Sequence, residues 1–339
     1  MCSIFHHRHY YTISTKSGVE SDNFNINDSE LENVETISQP GDIWQLGRHR
    51  LLCGDSTNSE DIQNYLKDTV IDLVVTDPPY NVDVQSKLDM LHKYQKGESE
   101  NIKFTEIKND NMSDGEFADF LDKAYYAMSL NLKTGGALYI FHSSSEVVNF
   151  VHYFKKYFKF SEMLIWVKNN FVLGRADYHY KHEPIIYGWK EGAAHYFVND
   201  RTQTTIIEDF ELDSLHKMRK DKLIDYCKEL LQLLSNEPTD VIYEDRDNIY
   251  NLHPTVKPLK LLAKLIRNSS KDNENVFDPF GGSGSTLIAC EQINRTAYLC
   301  ELELKYSDVI VKRYIAFKGN ENDVFLIRNG VKTPYNEVT

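Results

Sequence analysis

Thr76-Asp77-Pro78-Pro79-Tyr80-Asn81 places a carboxylate, two rigid prolines and an aromatic ring side by side, directly after the apolar run 71–76. Consecutive prolines fix the backbone and remove two N–H donors, so that carbonyl oxygens stay free to accept. Such a turn suits a planar ring bearing an exocyclic amine. Tyr80 can stack on the ring while Asp77 and the Pro78 carbonyl accept the two N–H groups. A bare Pro-Pro turn after a strand is the plain alternative, and it weakens once a second motif joins the first. That motif is residues 276–286, VFDPFGGSGST, which leave a strand and enter a helix. Glycines there let the backbone approach a ligand closely, and a helix N-terminus favours negative groups. Glu301 ends the next strand, 17 residues after Gly284, about where a doubly wound fold places a carboxylate for ribose hydroxyls. The fingerprint GxGxxG is not met, because Leu287 stands in the third glycine position, and no Lys follows the glycines as a P-loop requires. A nucleoside ligand without a pyrophosphate fits better, a tight strand-to-helix turn being the alternative.

The elements that must carry these motifs alternate between strand and helix. Residues 43–55 read as a hairpin and 71–76 as a short β-branched strand. Ser113-x-x-Glu116 is a capping box opening a helix through about Leu132, followed by Gly135-Gly136 and a strand at 137–141. Strands are expected at 163–168 and 184–189, and an amphipathic helix or helix pair at 211–235. The helix 258–269, strand 275–280, helix to about 293, strand 296–300, helix 305–317 and strand 323–327 complete the chain. This alternation predicts an α/β fold, a doubly wound and mostly parallel sheet with helices on both faces and a helical insertion. We divide the chain into a poorly ordered acidic tail (1–41), a half carrying Asp77 (42–199), a variable insertion (200–250) and a half carrying the glycine turn (251–339).

Composition bounds the partners. The 339 residues hold 38 Lys and Arg against 51 Asp and Glu, a net charge of -13, with 41% apolar and 26% charged residues. That is an ordinary globular chain, with no apolar run near the roughly 18 residues of a membrane span. The N-terminus lacks signal-peptide features, and five cysteines without a CxxC pair read as reduced thiols in a cytoplasm. The charge is uneven: -4 over 1–41, -5 over 42–199, -6 over 200–250 and +2 over 251–339. An acidic total argues against nucleic acid, but most of it lies in the tail and the insertion, so a local electropositive cleft remains open. His6, His7 and His9 read as exposed tail histidines.

With these residues in view, the pair DPPY and FGGSG resembles the S-adenosylmethionine-dependent amino-methyltransferases of DNA. Their order, with Gly54-Asp55 before them and His253-Pro254-Thr255-Val256-Lys257-Pro258 between, resembles the β arrangement, in which the catalytic half precedes the cofactor half. The resemblance spans roughly 41–318. Trp166-Val167-Lys168-Asn169-Asn170, Gly174-Arg175 and His182-Glu183-Pro184 also resemble members of phage and prophage type.

The resemblance implies a Rossmann-like methyltransferase fold in circularly permuted order and a cofactor, S-adenosylmethionine. Phe280, Gly282, Ser283 and Gly284 should wall its methionine part, with Asp278, Thr286 and Thr255 near its polar groups, Glu301 at the ribose and Asp55 near the adenine. Lys257 either steers the cofactor carboxylate or caps the next helix. Asp77, Pro78, Pro79 and Tyr80 should hold the target base, flipped from double-stranded DNA. Asp at position 77 favours adenine N6 over cytosine N4, a family tendency. The chemistry needs neither a metal nor a Cys nucleophile, and no proline is followed by Cys as in the carbon-methylating family.

Lys168, Asn169, Arg175, Tyr178, His179 and Lys181 mix the side-chain types that contact phosphate and base edges, packing on the cofactor half being their alternative. Lys217, Arg219, Lys220 and Lys222 are a basic exception within the acidic insertion, whose apolar stripe suits packing or a homodimer face. A restriction nuclease partner is compatible with this reading and not implied by it. A cytosine N4 enzyme, a silent nucleic-acid-binding subunit of the same fold, and an enzyme acting on RNA or protein glutamine stay open as alternatives.

Overall fold

The computed structural model describes residues 18–22, 36–82, 111–168, 177–200, 202–208, 241–243 and 256–338. The helical insertion expected at 211–235 and the histidines at 6–9 lie outside them. The hairpin is present as β1 (Ile43–Leu46) and β2 (His49–Cys53). Helix α1 (Ser59–Leu66) follows, its first N–H groups accepted by the Asn58 side chain. Then comes β3 (Ile71–Thr76). Helix α2 (Asp114–Asn131) opens with the expected capping box, in which Ser113 and Glu116 satisfy each other's backbone N–H groups. It runs into β4 (Leu132–Phe141).

Helix α3 (Val147–Tyr157), not expected from the sequence, presents Phe150 and Phe154 one turn apart to the core. Strands β5 (Lys159–Val167), β6 (His182–Trp189), β7 (Ile206–Glu208) and β8 (Val241–Tyr243) come next. The C-terminal part holds α4 (Leu259–Ser269), β9 (Asn275–Asp278), α5 (Ser285–Gln292), β10 (Thr296–Glu301) and α6 (Leu304–Lys318). It closes with β11 (Val324–Arg328) and β12 (Val331–Pro334). Strand β9 stops at Asp278, two residues before the expected end, because Pro279 has no N–H to continue a ladder.

Among the described residues the strands form one sheet in the order β12-β11-β1-β2-β10-β9-β3-β4-β6-β5-β7-β8. Its centre, β2-β10-β9-β3-β4, is parallel, as the alternation of strands and helices predicted. The hairpin side and the β4-β6-β5 side run antiparallel.

Successive residues of the central strands enter two cores. Leu73, Val75, Tyr139, Val276 and Leu299 face α4, α5 and α6, while Val74, Ile140, Phe277 and Cys300 face α1, α2 and α3. Burial on both faces explains why these strands read as continuous apolar runs. The two expected halves interleave in space, since β2, from early in the chain, pairs with β10 of the later half.

The reading of 1–41 as a poorly ordered tail needs correction at two places. Val19 is buried in the core, and Asp22 pairs with Arg313 of α6. Ser38 donates to Asp308 at 2.5 Å and accepts from the Trp44 indole at 2.8 Å. Polar composition concealed these anchors, because single buried residues leave no periodic pattern. Among the described residues, no helix is long and apolar enough to cross a membrane.

Candidate active site

Because the five central strands are parallel, their C-terminal ends share one edge of the sheet. Along it stand Asp55 after β2, Glu301 ending β10, Asp278 ending β9, Asp77 after β3 and His142 after β4. The helix after β9 packs on one face and the helix after β3 on the other. The gap between β9 and β3 is therefore the switch point at which open α/β sheets bind ligands.

Asp77 sits in a network drawn from four places in the chain. Tyr80 donates its hydroxyl to Oδ1 of Asp77, and Lys257 Nζ donates to Oδ2 at 2.5 Å. Lys257 also lies 3.3 Å from Oε2 of Glu183 on β6, whose Oε1 is bound by Lys168, which follows β5. Its ammonium stands over the rings of Phe141 and Tyr80, at 5.1 and 5.6 Å.

Burial pushes the Asp77 carboxyl above its ordinary range, against the pull of Lys257. Glu183 is also desolvated, yet Lys257 and Lys168 together bring it down to about 2. Burial works against the charge on Lys257, and the two carboxylates overcome it and raise the pKa. Two carboxylates thus face two ammonium groups, balanced and largely dry. Tyr80 meets Phe150 edge-on, at 6.5 Å between ring centroids. His142 stacks on the same Phe150 at 5.2 Å, and burial lowers it to about 4, so it is neutral at ordinary pH.

The glycine turn lies on the neighbouring strand. Gly282 and Gly284 take positive φ, +51° and +83°, which side chains other than glycine rarely adopt. The two differ in their surroundings. A Cβ on Gly284 would meet Ile310 at 3.1 Å, whereas one on Gly282 would meet only the Phe280 carbonyl, at 3.9 Å. Gly284 therefore serves close packing on α6, while Gly282 keeps an open surface at the edge of the sheet.

The Gly282 N–H donates to Oε2 of Glu301 at 2.7 Å and that of Glu303 to Oε1 at 2.8 Å. Burial nevertheless raises Glu301 to about 7. Asp55 accepts from the backbone and hydroxyl of Thr57, while the Gly54 N–H bonds the Glu301 carbonyl at 2.9 Å, joining these two carboxylate-bearing ends. Phe280 is half-buried and packs on Phe120, 5.6 Å between centroids.

Asp278 is buried and accepts from Thr76 at 2.7 Å, Thr286 at 2.6 Å and the Phe280 N–H at 3.2 Å. It ties the ends of β3 and β9 to the first turn of α5, and burial raises it to about 7. An open glycine surface, a half-buried aromatic and a desolvated carboxylate with acceptor capacity to spare together fit a nucleoside ligand.

Asn169, Arg175 and Thr255 lie outside the described residues. Tyr178, His179 and Lys181 are exposed. Lys168 turns inward to Glu183, with 12% of its side chain exposed, away from the outward position a phosphate contact requires. Lys257 meets Asp77 and Glu183, and α4 begins after Pro258 with no side-chain cap.

Four residues join the site without having been assigned a part in it: Glu183, Thr76, His142 and Arg313. Arg313 donates to the carbonyl and hydroxyl of Ser283, at 2.9 and 3.2 Å, and so supports the glycine turn. For Glu183 a signal existed, a carboxylate at the start of the apolar run HEPIIYGW. For Arg313 the sequence offered no clear signal, because the buried face of α6 also carries Ser307 and Asp308.

Over 82 residues, 24% of this chain and 23% of the relative, the sequence is 43% identical to the Haemophilus influenzae type II methyltransferase M.HinfI. It is 26% identical to the Moraxella bovis type II methyltransferase M2.MboI, over 76% of this chain and 85% of that one. Among solved structures, M1.HpyAVI superimposes with a TM-score of 0.47 at 21% identity, covering 78% of this chain and 98% of that one. That likeness is distant, and no functional conclusion rests on it. The family model described as DNA methylase, N6_N4_Mtase, matches residues 71–312, over two thirds of the sequence, and the chain belongs to that family.

Proposed function

We propose that the protein transfers the methyl group of S-adenosylmethionine to the exocyclic N6 amine of adenine in double-stranded DNA, the target base being flipped into the site. The observation that carries this reading is the junction of the two motifs. The acceptor turn after β3 and the glycine turn after β9 leave adjacent strands, and the 2.7 Å bond from Thr76 to Asp278 holds them together. Phe280, Gly282 and Gly284 would wall the cofactor, Glu301 would accept from its ribose and Asp55 would lie toward its adenine. When bound, the cofactor supplies a sulfonium-activated methyl group.

An aromatic amine is a weak nucleophile, because its lone pair is delocalised into the ring. Asp77 and the Pro78 carbonyl accept its two N–H groups and draw the nitrogen toward tetrahedral geometry, while Tyr80 holds the ring. The bound cofactor would supply the methyl group to that nitrogen, and Asp77 would take the proton that the amine gives up. Positioning supplies much of the acceleration. Extracting the base costs about a few kcal/mol of stacking and pairing, which contacts on the base and on the DNA backbone must offset.

Adenine is preferred to cytosine because an aspartate opens the Pro-Pro-Tyr turn. Sequencing DNA from cells expressing the chain, with detection of modified bases, tests base and recognition site together. N6-methyladenine within one short sequence context is expected. N4-methylcytosine would transfer the mechanism to the other base, and unmodified DNA would reject the reading.

A further inference from the structure

We propose that Lys257 and Glu183 form an electrostatic latch on Asp77. In this latch the Lys257 ammonium keeps Asp77 ionised while the site is empty and moves onto Glu183 when the target amine arrives. The inference rests on the reading of Asp77 as the amine acceptor. Both oxygens of Asp77 are engaged, Oδ1 by the Tyr80 hydroxyl and Oδ2 by Lys257 at 2.5 Å. An incoming amine must therefore displace one of these donors or share an oxygen with it.

The ammonium has a second seat already prepared. Lys168 fixes Oε1 of Glu183, whereas Oε2 is buried, has no hydrogen-bond partner among the described residues, and lies 3.3 Å from Lys257 Nζ. A charge-assisted hydrogen bond closes at about 2.8 Å, so a shift of roughly half an ångström completes it. The net charge of the network is the same in both positions, and the ammonium stays between the two carboxylates throughout so short a shift.

Each member has a distinct consequence. Without Lys257, desolvation would favour protonated Asp77, which accepts poorly. Without the Glu183 charge, the ammonium would stay on Asp77 and compete with the amine. Lys257 and Glu183 thus act through Asp77 as positioning residues. The other titratable groups around the network are Tyr80 on the turn of Asp77, Lys168 against Glu183, Asp278 at the end of β9, which Asp77 raises, and neutral His142 at the end of β4, which faces Glu183.

The test is single-turnover methyl transfer to duplex DNA by the full chain with methyl-labelled S-adenosylmethionine, followed from about pH 5.5 to about pH 9. Lys257→Met should move the acid limb of the rate upward by about one pH unit or more, with cofactor affinity near that of the parent. Glu183→Gln should slow transfer by about tenfold or more at every pH. Above the raised acid limb, the double variant should be faster than Glu183→Gln alone, because the competing ammonium has gone. A merely structural ion pair would not produce that reversal.

If Lys257→Met does not fold, Lys257→Arg should slow transfer at every pH, because a two-pronged cation grips Asp77 more firmly. Parental rates in Glu183→Gln, or a double variant no faster than that single one, would overturn the latch while leaving the proposed activity intact. A parent chain that methylates no DNA would overturn the reading of the site and the latch with it.

Discussion

At the scale of single residues, Asp77, Asp278 and Glu301 are partly or wholly withdrawn from solvent, Asp55 stays exposed, and the three withdrawn carboxylates are managed differently. Asp77 is offset by an ammonium, Asp278 is held by two threonine hydroxyls, and Glu301 receives only backbone N–H groups. Burial raises Glu301 from 4.5 to about 7, so the folded protein binds a proton there that the unfolded chain has released. Stability from this group is complete below about pH 4.5 and is lost as pH rises toward about 7.

Glu301→Gln, which carries no titrating proton, should therefore gain stability relative to the parent across that interval. Denaturant midpoints at several pH values measure the difference, and a difference independent of pH would show that Glu301 titrates normally. Ribose hydroxyls donating to Glu301 favour its ionised form, so cofactor binding near neutral pH should release protons. Calorimetry in buffers of different ionisation enthalpy reads that release directly.

At the scale of elements, the turn between β9 and α5 carries the cofactor argument. A valine at Gly282 would place a branched side chain in the open surface of the turn and force a strained positive φ. Gly282→Val should abolish calorimetric binding of S-adenosylmethionine, and an unchanged affinity would remove Gly282 from the site. The same turn is braced from behind the motif. Arg313 of α6 holds Ser283 and Ser285, and Asp22, in an N-terminal strap formed by residues 18–22, holds Arg313, with 5% of each side chain exposed. The strap is fixed further by Val19 in the core and by paired bonds between Glu20 and Gln292. Asp22→Ala leaves a buried guanidinium short of its counter-charge and should cost about 3 kcal/mol in urea unfolding. A loss near zero would mean that the strap contributes nothing to the fold.

At the scale of the whole molecule, the legible part and the hidden part have separate physical causes. The strand–turn–helix units around Asp77 and Gly282 could be read because apolar runs, proline, glycine and a capping box act over a few residues. The partnership of Lys257 with Asp77 could not, because it joins residues 180 apart and depends on which strands become neighbours. The interleaving of the halves was hidden for the same reason, since β2 finds β10 only once the sheet has closed. The strap was hidden by composition, its two anchors lying within a polar segment.

The net charge of -13 at first counted against a nucleic-acid substrate, yet at the acceptor turn Lys257 and Lys168 balance Asp77 and Glu183. The larger share of the surplus falls in 1–41 and 200–250, outside the sequence of both motifs. The central claim is that Asp77 accepts the target amine in a cleft that binds its cofactor independently. Its most direct test is Asp77→Ala beside the parent, with cofactor affinity by calorimetry and labelled methyl transfer to duplex DNA followed by nucleoside analysis. Label on adenine N6 is expected for the parent, and near-parental cofactor affinity with transfer abolished for the variant. Asp77→Ala methylating adenine at close to the parental rate would contradict it.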